Sequence, residues 1–167
     1  MPELFTVQQQ IDEFRTKVEL NSRMVDEIAS KILSEYTKEL DNLIKDVQKC
    51  VFESNDISDF EYETIALKLT TLMYWSSNGA ELVGIRSDIA KAFEKEKYNK
   101  IYNSLVGTAK ERESIATLET QAEYVVNIAS TRAYKMLQAK TQNAYELLAV
   151  IKKILTRRLE QRKLPEI

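Results

Sequence analysis

Groups able to do acid–base or nucleophilic chemistry are scarce in this chain of 167 residues, and their spacing points away from catalysis. There is no histidine, which removes the commonest general base and the commonest metal ligand together. Cys50 is the single cysteine. It has no histidine to activate it and no partner for an internal disulfide. It lies near a helix end among apolar neighbours, where packing is its expected role. Three glycines cannot build a phosphate-cradling loop, and Glu-x-x-His ligation of two irons is impossible. Glu94/Glu96 and Glu111/Glu113 face different sides of a helix and read as solvated surface. The expectation is a protein that is no enzyme and holds no metal or cofactor.

Two basic clusters carry the chemistry that remains. Arg86, Lys91, Lys95, Lys97 and Lys100 are interleaved with Tyr98 and Tyr102. Lys152, Lys153, Arg157, Arg158, Arg162 and Lys163 follow near the end, opposed only by Glu160. A single-stranded nucleic acid needs a cationic track for its phosphates and aromatic faces for its bases. The first cluster supplies both ingredients. The competing reading is a solvated face whose lysines pair with Glu94 and Glu96 at helical spacing. For the second cluster it is the preference of cations for a helix C-terminus. Tyr74 and Trp75 suit either helix packing or a partner-binding hot spot.

The elements that must position these residues are helices. Average usage would supply roughly 12 Gly and 8 Pro; this chain has 3 and 2. So few breakers nearly exclude a sheet with tight turns. The apolar spacing predicts a first helix over 6–51, opened by a Thr6–Gln9 capping box. Its seam runs through Ile11, Phe14, Val18, Val25, Ile28, Ile32, Tyr36, Leu40, Leu43, Val47 and Val51, with Asn21 filling one position. The polar, acidic stretch 53–58 is a linker. Ser58 with Glu61 opens the next helix, 59–77. Asn78-Gly79 reads as a turn. A third helix over 80–105 is expected to turn Ile85, Ile89, Phe93, Ile101 and Leu105 inward. Gly107 follows as its stop, and Thr108 with Glu111 forms another capping box. A last helix over 109–162 would run roughly 80 Å. One stripe on it includes Ile115, Leu118, Val125, Ala129, Met136, Val150 and Ile154. A second holds Ala133, Leu137, Ala144, Leu148, Ile151, Leu155 and Leu159.

The expected fold is therefore all-α: a single domain, an elongated bundle of about four helices with two long coiled-coil-like ones. Helices 6–51 and 109–162 are too long to bury themselves in a compact bundle of this size, which predicts a homo-oligomer. Residues 1–80 carry 8 Lys+Arg against 15 Asp+Glu, 8 − 15 = −7; residues 81–167 carry 16 against 11, 16 − 11 = +5. The halves can attract each other, or the basic half can face a polyanion. No apolar run reaches the roughly 18–20 residues of a membrane span, and no secretion signal opens the chain. The expected location is the cytoplasm, of a cell or of an infected host.

Residues 74–162 resemble the UvsY-type recombination mediators of large tailed phages in their organisation. The resemblance rests on Tyr74-Trp75 closing one helix, then the basic-aromatic stretch from Arg86 through Lys100 to Tyr102 and Leu105. The break at Gly107, the acidic start at Glu111 and Glu113, and a long helix with Tyr124, Ala144 and Ile151 ending in Arg157-Arg158-Leu159-Glu160 complete it. The long first helix departs from the shorter start of that family. The resemblance implies a helical oligomer that binds single-stranded DNA and helps load a RecA-like recombinase. It implies phosphate contacts from the cations of both clusters and base stacking on Tyr98 and Tyr102. Two other uses fit the residues alone: a structural or scaffolding protein of a virion, and an adaptor or inhibitor that docks on a host protein through Trp75 and the apolar arc of 144–159.

Overall fold

The computed structural model describes the backbone of residues 2–53 and 57–163, with side chains from residue 12 onward in those ranges, Phe14 excepted. The fold is all-α: α1 (Pro2–Glu53), α2 (Asp59–Ser104), α3 (Ala109–Glu119) and α4 (Gln121–Lys163), with no strand among the described residues. The Thr6–Gln9 box and the seam positions Ile11 and Phe14 lie outside the described side chains. The other two capping boxes form. Ser58 N–H donates to Glu61 Oε2 at 2.8 Å while Glu61 N–H donates to Ser58 Oγ at 3.2 Å. Thr108 and Glu111 do the same at the start of α3.

Two predicted boundaries are corrected. Asn78-Gly79 is no turn, because α2 runs unbroken through it and through Gly84 for 46 residues. Gly79 is there for space. A Cβ on it would stand 2.5 Å from Tyr36 Cδ1, so only glycine lets α1 approach α2 at this level. Beside it, buried Ser76 donates its hydroxyl to the Tyr36 carbonyl. The predicted helix over 109–162 is instead two, interrupted at Thr120. The buried Thr120 hydroxyl donates to the Ala116 carbonyl at 2.8 Å, and the backbone there relaxes to φ −104°, ψ 9°. Such back-bonding competes with the ladder and bends or breaks helices. The stop before α3 comes at Ser104, and Gly107 sits in the link with φ 145°, a region natural only to glycine.

The chain gathers into two compact units. Residues up to Ile32 with Val83–Ala133 make the first; Leu33–Leu82 with the chain from Tyr134 make the second. In the second unit, Leu40, Leu69, Met73, Ala144, Leu148 and Ile151 form the core, flanked by Leu43, Ile44, Ile65, Leu72 and Leu155. Each fully buried Leu, Ile or Met contributes about 1.5–3 kcal/mol. A polar link tightens α1 against α4 here: Lys140 donates to Asp41 Oδ1 at 2.6 Å and to buried Thr37, whose hydroxyl itself donates to Asp41.

The first unit is packed with smaller residues. Val25, Val125 and Ala129 form its core with Ile28 alongside, and Ala29, Ala116 and Ala133 are also buried. Small side chains let the helix backbones approach closely, and short polar bridges fill the remaining contacts. Ser87 meets Thr131 at 2.9 Å, and Asn127 donates to Glu94 at 2.6 Å.

Burial corrects the predicted faces. On α1, Val25, Leu40 and Val47 of the predicted seam are buried, joined by Ala29, Leu33 and Thr37, while Val18 and Val51 are about half exposed. On α4 the first stripe is buried at Val125 and Ala129 in the first unit, and the second takes over at Ala133, Leu137, Ala144, Leu148 and Ile151. Met136 and Val150 of the first stripe and Leu159 of the second are exposed, as are Ile115 and Leu118 of α3. Most consequentially, Ile85, Ile89 and Phe93 face outward, at 56%, 48% and 62% exposure, while Val83 and Ser87 are buried. Three apolar residues at spacings of four mark an amphipathic stripe but not which stripe meets the protein interior.

Candidate nucleic-acid interface

The structure divides the first basic cluster around α2. Lys91 and Lys95, one turn apart, share a helix face with Tyr98 and Tyr102, at spacings of 4, 3 and 4. Arg86, Lys97 and Lys100 lie on the opposite face. Lys97 is committed: its ammonium donates to Glu123 at 2.7 Å. That hydrogen bond, with one from Glu123's own backbone, holds the Glu123 carboxyl below its ordinary value. The two tyrosines stack on each other at 6.1 Å, 14° from parallel, and the Arg112 guanidinium lies 4.6 Å from the Tyr102 ring centre. Tyr102 therefore spends its ring surface inside the protein. Tyr98 also lines a cavity of about 670 Å³ with Glu94, Tyr124 and Arg132. Lys91, Lys95 and Lys100 are exposed.

The second cluster divides as well. Arg158 and Arg162, four residues apart, both grip Asp59 in the first turn of α2, at 2.9 and 2.7 Å. Arg158 also donates to the Ile57 carbonyl and lies 5.1 Å from the Tyr62 ring centre. Asp59 is held below its ordinary 3.8, chiefly by the Arg158 hydrogen bond, against a smaller upward push from burial. These two arginines bind the start of α2 to the end of α4. Lys152, Lys153, Arg157 and Lys163 remain exposed.

The charge asymmetry of the sequence is thus partly spent within the chain. Asp26 pairs with Arg132, Asp41 with Lys140, and Asp59 with Arg158 and Arg162. Each joins an acid from the N-terminal half to a base from α4.

Tyr74 and Trp75 are both 63% exposed and meet in a T-shaped contact at 5.8 Å, so Trp75 is no packing anchor. Cys50 is likewise exposed, against the expectation that it packs. It stands on the wall of a cavity of about 300 Å³ with Leu43, Val47, Ile57 and Phe60. Among the described residues no group of three or more Cys, Asp or Glu could hold a metal ion, and no helix is long and apolar enough to cross a membrane.

Three residues that sequence reasoning passed over, Tyr134, Gln138 and Tyr145, join Tyr74 and the predicted Lys152 at the surface of the second unit. Tyr134, Gln138, Tyr145 and Lys152 recur at spacings of 4, 7 and 7 along one face of α4, with Gln142 beside them. Of these only Lys152 belongs to the predicted clusters. The signal was present as a polar-aromatic period, but an apolar-stripe reading skips it. The chain matches no family model, no curated protein and no solved structure.

Proposed function

We propose that this chain is a non-enzymatic accessory factor that binds single-stranded DNA in phage-type recombination or replication and acts as a helical oligomer. The observation that carries the reading is the set of cations that no internal ion pair takes up. After the internal ion pairs are made, Lys91, Lys95 and Lys100 in one unit and Lys152, Lys153, Arg157 and Lys163 in the other keep exposed side chains with no ion pair among the described residues. Clustered cations in that state suit phosphate, whose condensed counterions they release. The resemblance to recombination mediators supplies the biological setting and the RecA-like partner, in the cytoplasm of a cell or an infected host.

The test is the affinity for a dT oligonucleotide measured by anisotropy across a salt series. Binding should weaken steeply with salt, and Lys152→Ala and Lys153→Ala should each reduce the log–log slope by about one. Absence of binding at low salt would sink the reading.

A second reading is favoured by a separate observation, the outward stripe Ile85, Ile89 and Phe93. Exposed large apolar side chains outnumber buried ones by about two to one among the described residues. A structural or scaffolding protein that assembles through helix faces would use them. It predicts a defined oligomer indifferent to oligonucleotide.

A further inference from the structure

In the second unit, α2 and α4 flank a surface groove lined mainly by tyrosines, amides, hydroxyls and one lysine. One stretch, about 550 Å³, is bordered by Thr70, Tyr74, Tyr145 and Lys152. The next, about 440 Å³, is bordered by Glu81, Tyr134, Gln138 and Gln142. Ser77 and Tyr145 line both, so the two stretches adjoin. We infer that this groove is the base-stacking track for single-stranded nucleic acid, with Tyr145 and Tyr74 as the platforms and Lys152 as a phosphate contact. The inference rests on the single-stranded-DNA reading above and says where the bases go.

Three features commit the groove to nucleobases. First, its rings are available. Tyr145 is 50% exposed and takes part in no ring contact among the described residues, where the ring contact of Tyr74 is with Trp75. Tyr98 and Tyr102, the tyrosines singled out by sequence, are stacked on each other instead. Second, the groups beside the rings are amides and an ammonium. Gln138 donates to the Tyr134 hydroxyl at 2.7 Å, which leaves its carbonyl as an acceptor, and Gln142 adds a second amide. Such groups match base edges and phosphate without demanding one sequence. Glu81 is the only acid on the lining and stands in the stretch away from Lys152. Third, the large apolar members of the lining, Met73 and Leu148, are already buried in the unit's core, and the others are alanines, Ala80 and Ala149. A docking helix of another protein would find few apolar side chains to cover. A duplex keeps its base faces stacked inside, so only unpaired bases can use the rings.

The experiment uses the full chain, a dT oligonucleotide carrying one 5-iododeoxyuridine, and the fluorescence of Trp75, the single tryptophan and a neighbour of Tyr74. Binding should quench Trp75, and irradiation should crosslink the oligonucleotide to Tyr145 or Tyr74. Tyr145→Ala should weaken binding about 10- to 100-fold with an unchanged salt slope, because stacking and not charge is lost. Tyr145→Phe should bind as the natural chain does. If the oligonucleotide binds, yet Tyr145→Ala leaves affinity unchanged and crosslinks fall on the Lys91–Tyr102 segment, the groove is excluded while DNA binding stands. No binding by the natural chain at low salt removes both readings. Tyr145→Ala that alters the mass in light scattering but not DNA affinity makes the groove a protein interface and overturns the inference. Should Tyr145→Ala fail to fold, the crosslink on the natural chain decides alone.

Discussion

At the scale of the residue, two positions show how an unremarkable letter takes its meaning from what packs against it. Gly79 reads as a turn former, yet it sits inside a helix where a side chain would strike the Tyr36 ring. In an open helix, Gly→Ala is stabilising by about 1 kcal/mol. Here Gly79→Ala is expected to destabilise, by about 1–3 kcal/mol, because overpacking outweighs helix propensity. Denaturant titration checks the sign, and in a Tyr36→Ala background the same change should turn neutral or stabilising. Arg158 and Lys153 make the second contrast. They belong to one basic cluster in the sequence, but Arg158 is tied to Asp59, the Ile57 carbonyl and the Tyr62 ring. Arg158→Ala should lower the melting temperature, whereas Lys153→Ala should leave it unchanged and weaken DNA binding. Equal thermal effects of the two would contradict the division of the cluster.

At the scale of the element, helix starts were legible and helix interruptions were not. Ser58–Glu61 and Thr108–Glu111 are local motifs whose hydrogen bonds close within four residues, so the sequence states them completely. Ser58→Ala and Thr108→Ala should each cost about 0.5–2 kcal/mol in chemical denaturation, the usual worth of an N-cap hydroxyl. The stop at Thr120 depends on a buried hydroxyl turning back on the Ala116 carbonyl, and threonine elsewhere does the same without ending its helix. Thr141, also buried, donates to the Leu137 carbonyl in mid-α4. Which face an element buries was legible only as a choice between stripes. On α4 the Leu137–Leu148 stripe is buried and Met136 and Val150 are not. The inner positions of α4 in the first unit hold small side chains, Val125, Ala129, Ser130 and Ala133. Ala129→Leu is expected to cost about 1–3 kcal/mol by overpacking.

At the scale of the whole molecule, the pH response follows from carboxyls that the fold holds in their charged form. Asp59 and Glu123 are held low chiefly by hydrogen bonds from Arg158 and Lys97, and Glu61 and Glu111 by their capping partners Ser58 and Thr108. All four therefore have folded values below their ordinary 3.8 and 4.5. Their stabilisation is complete above those ordinary values and is lost as pH falls through the lower folded ones. Thermal melts should be flat from neutrality to about pH 5 and decline below it. Asp59→Asn should lower stability near neutrality and make the acid decline shallower. The outward apolar side chains set a second expectation at this scale. If Ile89 and Phe93 meet another copy, Ile89→Glu should reduce the mass in light scattering and leave the helical signal intact, since neither residue is in a core cluster. An unchanged mass would remove α2 from the assembly surface.

Composition and period alone determined that this protein is built of long helices, where two of them are capped, and that a cationic surplus lies in the second half of the chain. Those properties follow from local backbone chemistry and from counting, which need no knowledge of neighbours. Tertiary structure decided which stripe of each helix is interior, that Asn78-Gly79 continues a helix, and which cations are spent on Glu123 and Asp59. It also brought Tyr74 beside Tyr145 and Lys152 along one groove, from positions about seventy residues apart in sequence. Each of these depends on what stands across from a side chain, and a one-dimensional pattern holds no record of that.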